Sequence, residues 1–119
     1  MNRWSLVHSD HTTLLCRAGQ RPEWAFDISR RYSGSASASQ RARIAHQVRQ
    51  DIWRACRNVR GFLPLVEVST SGDETVIRAG GSLMTRSGHV PSLEIKVARV
   101  LDCADNIARW QRHARRAKG

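Results

Sequence analysis

The sequence predicts an α+β fold: a small antiparallel β-sheet with two main α-helices, over about residues 40–60 and 92–117, packed on it. Three patterns carry this expectation. Strand-favouring runs bounded by turn residues occur in the first 32 residues and again after Gly61. Ile44, Val48, Ile52, Ala55 and Val59 recur at the spacing of one helical stripe. Val97, Val100, Leu101, Ala104, Ile107 and Ala108 form a second stripe.

The elements follow in chain order. Arg3 to His8 and Thr12 to Arg17 favour strand, and Ser9-Asp10-His11 between them supplies a hairpin turn. Trp24, Phe26 and Ile28 alternate with Ala25, Asp27 and Ser29, which predicts a third strand; a short helix after Pro22 competes with it. Ser33-Gly34-Ser35-Ala36-Ser37-Ala38-Ser39 is made of small residues that do not pack, so a flexible loop is expected over 33–39. It separates a β-rich part, 1–32, from a helix–meander–helix part, 40–119, within one domain. Ser39 is the expected N-cap of the first helix and Gly61 its stop. Leu63-Pro64-Leu65-Val66-Glu67-Val68 reads as a strand, Ser71-Gly72-Asp73-Glu74 as a turn, and Thr75 to Ala79 as the return strand. Gly80-Gly81 allows a further turn into Ser82-Leu83-Met84-Thr85. Pro91-Ser92 can open the last helix, although Leu93, Ile95 and Val97 alternate as a strand would; helix is the favoured reading of residues 92–101.

With 119 residues, 40% of them hydrophobic and 25% charged, the chain suits one modest core, and disorder throughout is excluded. The charge is unusual. Twenty Lys and Arg against ten Asp and Glu give +10, and only Lys96 and Lys118 are lysines. A GC-rich genome explains Arg over Lys but not the shortage of acids. The odd set Cys16, Cys56 and Cys103 does not suggest a disulfide framework, so a reducing compartment is expected. Neither a signal-like apolar run in Met1 to Leu6 nor a membrane-length segment occurs, and the expected location is the cytoplasm, away from membranes.

No phosphate-binding glycine loop, H-E-x-x-H or nucleophile elbow is present, and acids are not clustered for metal-dependent hydrolysis. His8, His11 and Cys16 have a loose metal-like spacing but lack a fourth ligand. The expectation is a protein that is not an enzyme and uses no cofactor or metal.

The positive charge is uneven. Residues 41–60 carry six Arg and one acid, and residues 92–119 carry five Arg and two Lys against three acids, whereas residues 61–91 are slightly acidic. Opposite the first apolar stripe lie Arg43, Gln47, Gln50, Arg54 and Arg57, with His46 and Trp53 at one shoulder and Arg49 and Arg60 beyond it. Solubility alone favours interleaved signs; like charges on one face become favourable when phosphates neutralise them. Arg and Gln also reach base edges, and a tryptophan beside them can stack on bases. Arg112, Arg115 and Arg116, with His113 and Lys118, form a basic tail, which the helix dipole also favours. Arg30-Arg31 beside the small-residue loop is a third basic spot.

The sequence therefore points to nucleic acid, DNA or RNA, as partner, held by Arg43, Gln50, Trp53, Arg54, Arg57, Arg30, Arg31, Arg112, Arg115 and Arg116. The alternative is a small adaptor or inhibitor, of the phage or mobile-element type, that binds an acidic protein and extends its sheet with Leu63-Pro64-Leu65-Val66. The order helix, three strands, helix over residues 40–117 resembles double-stranded-RNA-binding domains in order of elements only. That family opens its last helix with a lysine cluster; here the stretch is Ser92-Leu93-Glu94-Ile95-Lys96, and no site residue is carried over.

Overall fold

A computed structural model describes residues 4–19, 23–84 and 90–116. Expectations that fall on Arg3, Pro22, Thr85 and Lys118 lie outside the described residues. The elements are β1 (Trp4–His8), β2 (Thr12–Arg17), β3 (Phe26–Ser33), α1 (Ala38–Cys56), β4 (Phe62–Ser71), β5 (Glu74–Leu83), α2 (Val90–Asp102) and α3 (Ala104–Arg115). The α+β class stands. The strands form one antiparallel sheet in the order β1-β2-β4-β5-β3. Strands from both sides of the small-residue segment thus share a sheet.

Alternation decides which residues face the helices. Val66 and Val68 of β4 stand opposite Ala79 and Ile77 of β5, and Leu15 of β2 opposite Val66. All five are buried. α1 lies over β2 and β4, presenting Ala45, Val48 and Ile52; α2 lies over β3 and β5, presenting Leu93, Val97 and Leu101. Trp110 of α3 closes the end of this core, edge-on to Tyr32. Each large aliphatic side chain buried here contributes about 1.5–3 kcal/mol relative to exposure.

Several boundaries differ from expectation. α1 is capped by Ser37, whose hydroxyl accepts from the Gln40 amide while the Gln40 side chain accepts from the Ser37 amide. Ser39 has Ala42 three residues on and cannot close this reciprocal box. The link between β3 and α1 is short and tied down. Gly34 N–H donates to the Asp73 carbonyl at 2.7 Å, and Thr70 Oγ1 donates to the Ala36 carbonyl at 2.7 Å. α1 ends at Cys56, before Gly61, which takes φ 78° where the chain enters β4.

No turn forms at Gly80-Gly81: β5 runs through both. A Cβ at Gly80 would meet the Phe26 carbonyl oxygen, and one at Gly81 that of Leu63, so glycine is needed for strand approach rather than bending. Among the described residues, two strands separate α1 from α2, where the element-order resemblance has three. β4 lies between β2 and β5: β5 pairs along the whole of Leu63-Pro64-Leu65-Val66, whereas β2 reaches only Val66 of that stretch.

The final helix is two helices broken at Cys103, which is extended (φ −77°, ψ 114°). Side chains take the carbonyls that would carry the helix on. Asn106 Nδ2 donates to the Val100 carbonyl at 3.2 Å and Tyr32 OH to that of Leu101 at 2.7 Å.

Candidate nucleic-acid interface

The single acid of α1 governs its surface. Asp51 is buried, turned into the seam with α3. Its Oδ2 accepts from Arg109 Nη2 at 2.9 Å and from Trp110 Nε1 at 2.8 Å. Arg109 also donates to Gln47 Oε1 at 2.9 Å and Asn106 Oδ1 at 2.7 Å. Arg109 pairs with Asp51 across the seam rather than with Asp105 one turn earlier on α3. Burial and a full set of donors explain the choice: a desolvated carboxylate binds a guanidinium far more strongly than an exposed one.

The outward row of α1 is left without an exposed carboxylate. Arg43, Gln50, Arg54 and Arg57 are exposed along it. Arg54 Nη1 stands 3.9 Å from Asp51 Oδ1, a distance that holds little, and its side chain is 68% exposed. Residues 43 to 57 span roughly 21 Å of helix, at about 1.5 Å per residue. Trp53 lies at the shoulder with half its surface in solvent. His46, on the same shoulder, is held below the usual imidazole value by burial and by the neighbouring Arg49, so it adds no charge near neutrality.

α3 runs antiparallel beside α1. Arg109 reaches Gln47 and Asp51, while Gln111 and Arg115, further along α3, share a cavity wall with Gln40 and Ile44 near the start of α1. The exposed Arg112, Arg115 and Arg116 therefore flank the Arg43 end of α1. The fold brings together two basic segments that lie far apart in sequence.

The third basic spot is not part of this surface. Arg30 and Arg31 are neighbours in β3 and point to opposite faces of the sheet. Arg30, on the helix side, holds Asp102 with two hydrogen bonds, at 2.8 and 3.2 Å, tying β3 to the end of α2. Arg31 is on the other face, with its Nη1 3.6 Å from Glu74. Arg30 is thus already engaged, and Arg31 faces away from the α1 row.

Other arginines serve the fold. Arg41 is 3% exposed and donates to Thr13 Oγ1, the Ala36 carbonyl and the Ser9 carbonyl. Arg49 lies 4.4 Å over the ring of Trp4, and burial lowers its pKa. Arg78 packs 4.0 Å over Trp24 and pairs with Asp27 at 2.9 Å. Trp4 and Trp24 thus serve as cation platforms, while Trp110 is in the core. Only Trp53 is strongly exposed among the described tryptophans.

The loose His8, His11 and Cys16 set is not assembled. His8 pairs with Thr13 Oγ1 at 2.9 Å, and Cys16 lies on the opposite face of its strand. Among the described residues, no group of three His, Cys, Asp or Glu could hold a metal ion, and no helix is long and apolar enough to cross a membrane. No protein family, curated protein or solved structure matches the chain.

Proposed function

We propose that this chain is a non-enzymatic nucleic-acid-binding protein that lays the outward row of α1 and the adjoining end of α3 along a phosphate backbone. One observation carries the reading: Arg43, Arg54 and Arg57 are exposed on one helix face whose single acid, Asp51, is turned inward and neutralised. Arg54 and Arg57, three residues apart, repel each other until an outside anion neutralises them, and release of counterions along the row then drives binding. Arg112, Arg115 and Arg116 extend the same surface, and Gln50 sits between the arginines where a base edge can be reached. Arg30 and Arg31 have no part in it.

The test is fluorescence anisotropy with a labelled oligonucleotide across a salt series. Three to six phosphate contacts correspond to a slope of log K on log salt of about −2 to −5. Arg54→Glu with Arg57→Glu should weaken binding at least tenfold while circular dichroism and thermal midpoint stay unchanged. Binding that is indifferent to salt, or to this double substitution in a folded protein, rules the α1 row out. Polyglutamate as competitor separates the alternative of an acidic protein partner: it displaces the oligonucleotide only where charge alone is recognised.

A further inference from the structure

The small-residue segment before α1 has no role in the phosphate surface, yet it walls a cavity of about 300 Å³. The cavity opens between this segment, the start of α1 and the end of α3. Ile44, Ile77, Ile107, Trp110 and Ala114 give it an apolar floor. Ser33, Gly34, Ser35 and Ala36 form another wall. None of the four carries a side chain large enough to fill the space. Their backbone cannot collapse into it either, because Gly34 and Ala36 are fixed to Asp73, Thr75 and Thr70. The space is half open to solvent.

The chemistry of the walls selects the occupant. Three polar groups of the walls are already committed, Tyr32 OH to the Leu101 carbonyl, Thr75 Oγ1 to the Gly34 carbonyl and Trp110 Nε1 to Asp51, while Ser33, Ser35 and Gln111 bring further polar side chains to the rim. The walls are mainly apolar, and they favour an apolar body. One charged side chain lines the space, the exposed Arg115, and no carboxylate among the described residues pairs with it. Small-molecule sites begin near this volume, about 300 Å³, which suits a one- or two-ring compound.

We infer that this cavity binds a small organic carboxylate with a compact, flat apolar body: the body rests against Ile107 and the apolar floor, and the carboxylate meets Arg115 as a bidentate pair. The inference does not depend on nucleic-acid binding. Arg115 serves both readings, and Arg57→Glu, which tests the α1 row, is the control here.

Calorimetric titration of the full chain at 150 mM salt tests it with three probes of one shape: 2-naphthoate, 2-naphthamide and 2-naphthylmethylammonium. The carboxylate should bind one to one, at least tenfold tighter than either of the others. Arg115→Gln should abolish that preference and leave the amide unchanged. Arg57→Glu, remote from the cavity, should leave all three affinities as they were. Ser35→Phe, at an exposed position on the wall, should fill the space and abolish binding; Gln111→Trp blocks it from the α3 side should the first variant not fold. The inference is overturned by the absence of saturable binding at millimolar carboxylate, or by equal affinity for the three probes. It is equally overturned where Arg57→Glu weakens the carboxylate as much as Arg115→Gln, since net charge would then account for everything.

Discussion

Arg41 and Arg43 stand two residues apart on α1 and are used in opposite ways. Arg41 is buried and spends its donors on Thr13, Ser9 and Ala36, which locks β2, the β1–β2 turn and the segment before α1 to one another. Arg43 is exposed and makes no comparable contact. The same division runs through the whole chain: Arg30, Arg49, Arg78 and Arg109 are engaged with carboxylates or rings, while Arg54, Arg57, Arg112, Arg115 and Arg116 face solvent. A net charge of +10 is therefore not a measure of the charge offered to a partner. What matters is which guanidinium groups the fold has already taken.

The largest effect should come from breaking that contrast directly. Arg41→Met takes one donor each from the Thr13 hydroxyl and the Ala36 and Ser9 carbonyls at a buried position, and about 3 kcal/mol of stability should go with it. Arg43→Met should change stability by no more than about 0.5 kcal/mol. Urea unfolding of the two variants measures the difference; equal midpoints would erase the distinction. Next in size is Asp51→Ala, which strips Arg109 and Trp110 of their common acceptor. A loss of about 2 kcal/mol is expected, with a changed near-ultraviolet signal from Trp110.

A smaller effect appears at high pH. Tyr32 is the chain's single tyrosine, and burial, with Asp102 adding to it, pushes its phenol up to about 12. A raised value means that the folded state holds its proton longer than the unfolded chain, whose tyrosine titrates at the ordinary 10.0. The contribution is complete below pH 10 and is lost as pH rises toward 12. Absorbance at 295 nm should show phenolate forming late, together with unfolding; a free transition at the ordinary value would place Tyr32 in water.

How much of this the sequence discloses depends on how far apart the partners lie. The α1 stripe and its outward arginines are legible because a helix repeats within a few residues, so Arg43, Arg54 and Arg57 fall on one face by arithmetic alone. The fold class is legible for the same reason. The true N-cap could have been found: Ser37 and Gln40 are the serine and glutamine three residues apart that close a capping box. The break at Cys103 could not, because Tyr32 supplies the hydroxyl that takes the Leu101 carbonyl. Gly80-Gly81 reads as a bend because a sequence does not show the carbonyl of Phe26 lying against it. Arg30 looks free beside Arg31 until β3 is seen crossing to the far edge, next to α2 and Asp102.

The Arg30–Asp102 pair gives the smallest expected effect and the finest test of the contrast. Arg30, though engaged, is engaged at the surface, with side chains 38% and 55% exposed. Solvent screens such a pair, and its worth should stay under about 1 kcal/mol, well below that of Arg41. Its mark is on titration instead. The hydrogen bond from Arg30 holds the Asp102 carboxyl below its ordinary 3.8. A lowered value means the contribution is present above the ordinary value and fades as pH falls through the lowered one. In Arg30→Gln the Asp102 carboxyl should titrate back toward 3.8, which carboxyl-detected NMR follows residue by residue. The unfolding midpoint at neutral pH should barely move. A large loss of stability in that variant would mean that Arg30 belongs with Arg41, as a group the fold cannot release.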